Sequence, residues 1–212
     1  MVPAMSVYGL KPAFQALLRP FARRIHALGG TANQVTLAAA AGSVALGAVW
    51  WGWGGRWPAL WALAAPWMLA RMALNAIDGL LAREFGQRSV KGAYLNELGD
   101  AVSDAAVWLP LTAVAPFSPA LVVAFVLVAG WIELVGVVGA GLGGARRQEG
   151  PLGKSDRALI LALLGAWIAW PGELPAWAER VPWVLLALGG LTVAHRVGQG
   201  VLEARTQGRG ST

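Results

Sequence analysis

"NAIDGLLAREFGQRSVKGAYLNELGD", residues 75–100, sets Asn75, Asp78, Asn96 and Asp100 at spacings where a metal-dependent enzyme could carry four carboxylates. Two of the four are amides. At about 100° per residue, Arg71, Asn75, Asp78 and Ala82 share a sector of about 60° on one helix. On the next helix Gly92, Asn96, Asp100 and Asp104 spiral across about 120°, with Glu97 beside them. The segment between them, Arg83 to Lys91, is short. The two helices are therefore antiparallel neighbours whose polar stripes can face one cavity.

The surroundings of that stretch identify the solvent. The 212 residues are 57% hydrophobic and only 13% charged, with 12 Trp and a mean hydropathy of +0.55, too apolar for an ordinary soluble domain. Runs long enough to cross a hydrocarbon core as helix fall at 34–53, 58–82, 93–114, 119–143, 156–171 and 181–200. Ala, Gly and Leu dominate them, and no alternating ten-residue pattern suggests a barrel. The expected fold is all-α and membrane-integral, with six transmembrane helices.

Lys and Arg sort the connections by side. The leader holds Lys11, Arg19, Arg23 and Arg24. The second connection holds Arg83, Arg88 and Lys91, the fourth Arg146, Arg147, Lys154 and Arg157, and the C-terminal end Arg196, Arg205 and Arg209. The other connections hold Arg56 and Arg180. Positive-inside bias thus predicts cytoplasmic termini and a cytoplasm-facing cavity in an inner membrane. The net charge of +6 is divided among short membrane-flanking segments, which points to anionic lipid headgroups rather than nucleic acid. The first 30 residues lack the pattern of a cleaved signal peptide. "LKPAFQALLRPFARRIHALGG" (10–30) reads instead as an amphipathic interfacial helix. The expected organisation is a cytoplasmic amphipathic segment at 1–30, a membrane domain at 31–205 and a cytoplasmic tail at 206–212. With no cysteine, the sequence is silent on redox compartment.

A charged side chain near the bilayer centre costs about 2.5–3.5 kcal/mol on insertion scales, so intramembrane acids are functional candidates. Asp78, Glu97, Asp100 and Asp104 outnumber Arg71, and the surplus negative charge calls for cations. Carboxylate and amide oxygens are hard ligands, suited to Mg²⁺ or Mn²⁺ and unsuited to zinc. Gly79 and Gly92 allow a bulky ligand close to the backbone, and Arg83 and Lys91 beside an oxygen-lined ion suggest a phosphate group.

These residues resemble the signature of the CDP-alcohol phosphotransferases of phospholipid synthesis, D-x-x-D-G-x-x-A-R, eight residues, then G-x-x-x-D-x-x-x-D. Asp78, Gly79, Ala82, Arg83, Gly92 and Asp100 match in register; Asn75 and Asn96 stand at the first and third Asp positions. "TANQVT" (31–36) looks like the start of that family's first membrane helix. The resemblance implies a homodimeric membrane enzyme that binds CDP-diacylglycerol through one or two Mg²⁺ or Mn²⁺ ions and transfers its phosphatidyl group to an alcohol acceptor, releasing CMP. Asp78 and Asp100 would be metal ligands, helped by Asn75, Asn96 and Glu97, with Asp100 also the general base. Gly79, Ala82, Arg83 and Gly92 would shape the CDP site. The two amides lower the formal charge of the quartet from −4 to −2. Three readings follow: an enzyme with weakened metal binding, a site adapted to another substrate, or a non-catalytic CDP-lipid-binding or scaffold homologue.

Further candidates surround this core. Lys154 and Arg157 could receive an acceptor or donor phosphate, with Ser155 and Asp156 as helix caps. Arg71 could pair with Asp78 and occupy a metal's place, and Asp104 could retain function or cap a polar water pocket. Glu133 could line an acceptor pocket or pair with another helix. Arg146 and Arg147 are expected to serve topology and lipid contact, His26 to be exposed and His195 to be packed. Trp50, Trp51, Trp53 and Trp57 read as an interfacial belt. The glycines at 141–144 have no strand-turn-helix context for a dinucleotide.

Overall fold

The structure is a computed structural model and describes residues 11–142, 144, 146–170 and 173–209. The residues 1–10 of the expected leader, 210–212 of the expected tail and Gly143 of the glycine cluster lie outside the described residues. Seven α-helices follow in order: α1 Lys11–Ala27, α2 Ala32–Trp53, α3 Ala64–Glu84, α4 Val90–Trp108, α5 Pro119–Gly141, α6 Lys154–Ala169 and α7 Val181–Arg209. Short 3₁₀ turns precede α3 and α7 and follow α4. Each of the six apolar runs coincides with one of the helices α2 to α7.

Sequence dictates where these helices start. Thr31 caps α2 in a reciprocal box: its hydroxyl accepts from Gln34 N at 3.2 Å while Gln34 Oε1 accepts from Thr31 N at 2.9 Å. Ser89 caps α4 by accepting from Gly92 N at 2.9 Å. At α6 the cap position is Gly153, and Asp156 reaches back to its N–H at 2.8 Å. Of the two residues expected to cap α6, Asp156 does so; Ser155 lies exposed in the first turn.

Four helical segments are long and apolar enough to cross a membrane: Ala32–Trp53, Pro58–Glu84, Pro119–Gly141 and Ala176–Ala204. The other two helices fall short for physical reasons. α4 carries Lys91, Glu97, Asp100 and Asp104, and α6 has only 16 residues and opens on charged ones. Exposed Leu69, Leu127, Trp131 and Leu163 would be a liability in water and are ordinary against lipid. The fold is that of an all-α integral membrane protein.

α2 packs along α4 and α3, α3 against α6, and α5 against α7. Close approach of α2 to α4 depends on Gly47, where a Cβ would strike the backbone of Ala106. Backbone cannot give way as a flexible side chain can, so Gly47→Val is expected to destabilise by about 1–3 kcal/mol. A lowered thermal midpoint in detergent would register it; an unchanged midpoint would refute the tight crossing. In the apolar core, Trp50 stacks on Trp61 with ring centroids 4.6 Å apart, and Trp108 meets Phe125 edge-on. Of the four tryptophans expected in an interfacial belt, Trp51, Trp53 and Trp57 are exposed, whereas Trp50 is fully buried in the core.

α1 docks on α3 at the other end. Leu18 and Ala22 pack with Ile77, Leu80, Leu81 and Val35, and Arg19 makes a two-pronged pair with Glu84 at 2.9 Å. Gln87 fastens the corner, accepting from Ala32 N at 2.7 Å while its amide faces Gly30 O at 3.4 Å and the His26 ring at 3.2 Å. Gln87→Ala should cost about 1 kcal/mol and speed amide exchange at residues 28–33, since Ala32 N–H loses its partner. Equal exchange in both proteins would show the corner is held by α1 packing alone.

Candidate functional site

α3 and α4 run antiparallel, each packed along α2 rather than closely on the other, and their polar stripes meet through side chains. Asn75 Nδ2 donates to Asp100 Oδ1 at 3.3 Å. Asp78, one turn on, is buried and accepts from Thr36 of α2 at 2.9 Å. Thr36 therefore orients one acid of the motif. Its place within "TANQVT" was the available signal, since Asn33 and Thr36 share the face of α2 that α4 covers. Gly92 needs its missing side chain, because a Cβ would sit 2.8 Å from Asn33 Oδ1, and Arg83 folds its guanidinium over Gly79.

Deeper along α4 lies a chain of ion pairs. Arg71 Nη1 meets Asp104 at 2.6 Å, while Nη2 donates to the Asp100 carbonyl at 3.2 Å and lies 3.6 Å from the Asp100 carboxylate. Arg157, only 1% exposed, grips Asp104 through Nε at 3.2 Å and Nη2 at 2.9 Å. It also holds Glu133 at 2.7 Å and the Leu152 carbonyl at 3.3 Å. The Lys154 ammonium pairs with Asp100 Oδ2. Three cations from α3 and α6 thus face three carboxylates from α4 and α5, in a medium where an unpaired member would be costly.

Several expectations change in consequence. Arg71 pairs with Asp104 and Asp100 instead of Asp78, because α4, one helix across, brings two carboxylates to its head group. Asp104 is not a cap on a water pocket; it is shared by two arginines. Glu133 pairs with another helix. Arg146 and Arg147 find acids rather than serving lipid alone: Arg146 meets Glu97 at 2.6 Å, and Arg147 pairs with Glu203 and lies 3.5 Å from Glu149. Glu149, in the connection leading to α6, is held below the usual carboxylate range chiefly by its own backbone N–H and that of Gln148, with Arg147 adding to them. Arg196, counted from sequence among the cytoplasm-side charges, is buried and donates to the Ile132 and Glu149 carbonyls at 2.6 and 2.9 Å. His26 is exposed as expected and lies against Phe85, whereas His195 is exposed and not packed.

Among the described residues no three Asp, Glu, His or Cys converge on one point. Neutral oxygens would have to complete the shell of a divalent ion bound here, and the two amides carry such oxygens. Asn75 gives its NH₂ to Asp100, and Asn96 gives its NH₂ to Glu97 at 3.5 Å. Neither amide oxygen accepts a hydrogen bond from the described residues. With the Asp78 carboxylate, these are oxygens of the hard kind that Mg²⁺ or Mn²⁺ takes.

Fold and site together define a polytopic helical membrane protein with an acidic, amide-containing centre between α3 and α4. Over residues 30–194 the sequence matches the CDP-alcohol phosphatidyltransferase family, and the chain belongs to that family. It is 41% identical to the inner membrane protein YnbA of Escherichia coli over 175 residues, 82% of this chain and 85% of that one. It is 30% identical to phosphatidylinositol phosphate synthase of Mycolicibacterium smegmatis over 204 residues, covering 88% of this chain and 85% of the relative. The fold also matches crystal structures of Mycobacterium tuberculosis phosphatidylinositol phosphate synthase. The structure with CDP-DAG bound gives a TM-score of 0.70 at 21% identity over 87% of this chain and 94% of that one. The structure in complex with manganese and citrate gives 0.68 at 23% identity, covering 86% and 88%.

Proposed function

We propose that the protein is a working CDP-alcohol phosphatidyltransferase that moves a phosphatidyl group from CDP-diacylglycerol to an alcohol and releases CMP. The observation that carries this reading is the contact of Asn75 on α3 with Asp100 on α4, with Asp78 buried one turn along α3 and two amide oxygens left available to a cation. A divalent ion bound there would neutralise a diphosphate during transfer. Asp78, Asn75 and Asn96 would hold it, and Asp100 would take the proton of the acceptor hydroxyl. Gly79, Ala82, Arg83 and Gly92 line the approach for CDP, where Arg83 adds positive charge for the phosphates. Glu97, paired with Arg146, borders this set. Lys154 stands at the acceptor side, whereas Arg157, buried on Asp104 and Glu133, has no open face for a phosphate and with Arg71 and Asp104 ties α3, α4 and α6 together.

The membrane arrangement belongs to the same proposal: six spans in an inner membrane, both termini and the cavity toward the cytoplasm, and a homodimer. Within the segment expected at 1–30, α1 lies on the inner leaflet, ahead of the domain at 31–205. One feature favours a second reading, a non-catalytic CDP-lipid-binding or scaffold protein: both oxygens of Asp100 already face cationic or amide groups. A single assay separates the two. Purified protein with CDP-diacylglycerol, Mg²⁺ or Mn²⁺ and a panel of alcohols and phosphorylated polyols is expected to release CMP. Lipid binding without turnover in any mixture would establish the second reading.

A further inference from the structure

The acids around the cavity are Asp78, Glu97, Asp100, Asp104 and Glu133. All but Asp78 have a Lys or Arg nitrogen within ion-pair distance: Arg146 on Glu97, Lys154 and Arg71 on Asp100, Arg71 and Arg157 on Asp104, and Arg157 on Glu133. Asp78 has the neutral Thr36 hydroxyl instead. Four cations thus serve the other four acids, and Asp78 is the acid left without one; Arg83, the further cation at the cavity, is folded over Gly79. The two amides point the same way. Asn75 Nδ2 lies 3.3 Å from Asp100 Oδ1, where an aspartate would set two like charges against each other; the amide instead donates and turns its oxygen elsewhere.

We propose that this centre takes one divalent cation, on Asp78 and the amide oxygens of Asn75 and Asn96, and that the Lys154 ammonium and Arg71 guanidinium supply at Asp100 the positive charge a second ion would bring. Lys154 is a positioning residue in this scheme, a fixed monovalent cation carried by α6. Its side chain is one-third exposed and so enters the cavity from the rim, while Arg71 approaches from within the helix packing. The single-ion stoichiometry rests on the metal-binding part of the proposed function, not on turnover.

The test is Mn²⁺ binding to the purified full chain in detergent, read by calorimetry for stoichiometry and by electron paramagnetic resonance for coupling between ions. One Mn²⁺ per chain with the spectrum of an isolated ion is expected. Asp78→Asn should weaken binding at least about tenfold while leaving the fold intact, because an amide oxygen still accepts from Thr36. Asn75→Asp/Asn96→Asp/Lys154→Gln should bind a second ion and show the coupled spectrum of metals about 3.5–4 Å apart. Two coupled ions in the native protein would overturn the proposal, as would no binding at millimolar Mn²⁺ or a triple variant that still binds one. CMP release measured on the same samples keeps the two proposals apart. One ion without turnover upholds the single-ion centre and defeats the transferase reading; two ions with turnover does the reverse.

Discussion

Asp100→Asn is expected to reduce CMP release by about 10²- to 10⁴-fold, the range that loss of a positioned base commands. The substitution keeps the size and the acceptor oxygen of the side chain, so Asn75 Nδ2 still has a partner and Arg71 Nη2 still reaches the backbone carbonyl. Lys154 loses its charge partner, but its side chain is one-third exposed and can turn toward solvent. Little stability should therefore be lost, and the thermal midpoint in detergent should stay close to the native value. An amide cannot accept the hydroxyl proton, and that difference alone should stop the reaction. Turnover within a few-fold of native would remove Asp100 from the role of base. Loss of turnover together with the fold would be assigned by the midpoint measurement.

The helical architecture was legible because hydrophobic run length is set by the bilayer, and each of the runs from 34–53 to 181–200 became a helix. Hydropathy alone was less informative for α4 and α6, whose charged residues disqualify them as simple apolar spans. Those same residues are what the cavity uses. The α3–α4 meeting was legible in part: the short turn makes the helices antiparallel and sets Asn75 opposite Asp100, but both helices pack on α2 more than on each other, so α2 sets the distance between them.

Partner choice was not legible. Whether Arg71 meets Asp78 or Asp104 depends on the axial offset between α3 and α4, which helical angles do not contain. Arg157 and Lys154 reach α4 only because α6 packs on α3, a contact between elements some eighty residues apart. Glu133 and Arg196 likewise acquire partners from helices distant in sequence. The exposure of His195 follows from which face of α7 turns to α5. Ion pairing inside a membrane protein is decided by tertiary placement, so sequence gives the inventory of charges and leaves their matching open.

Asp104→Ala is expected to be the most damaging substitution for stability, at about 3–5 kcal/mol, because it leaves two guanidiniums without their shared carboxylate in a low-dielectric setting. Arg71 is 5% exposed and Arg157 is 1% exposed, so neither can rehydrate in place. Arg157→Met should cost less: Asp104 keeps Arg71, and Glu133, whose side chain is 22% exposed, can take up solvent. The double variant Asp104→Leu/Arg157→Met removes both charges of the more deeply buried pair and replaces them with apolar volume, and Arg71 retains Asp100. It should therefore be more stable than Asp104→Ala alone, a non-additivity that independent sites would not show. Midpoints of heat-induced loss of folded protein in detergent supply the comparison. Costs that simply add would mean that the charges do not act as one network, and that α3, α4 and α6 are held together by apolar packing around Met68, Val107, Leu161 and Leu164.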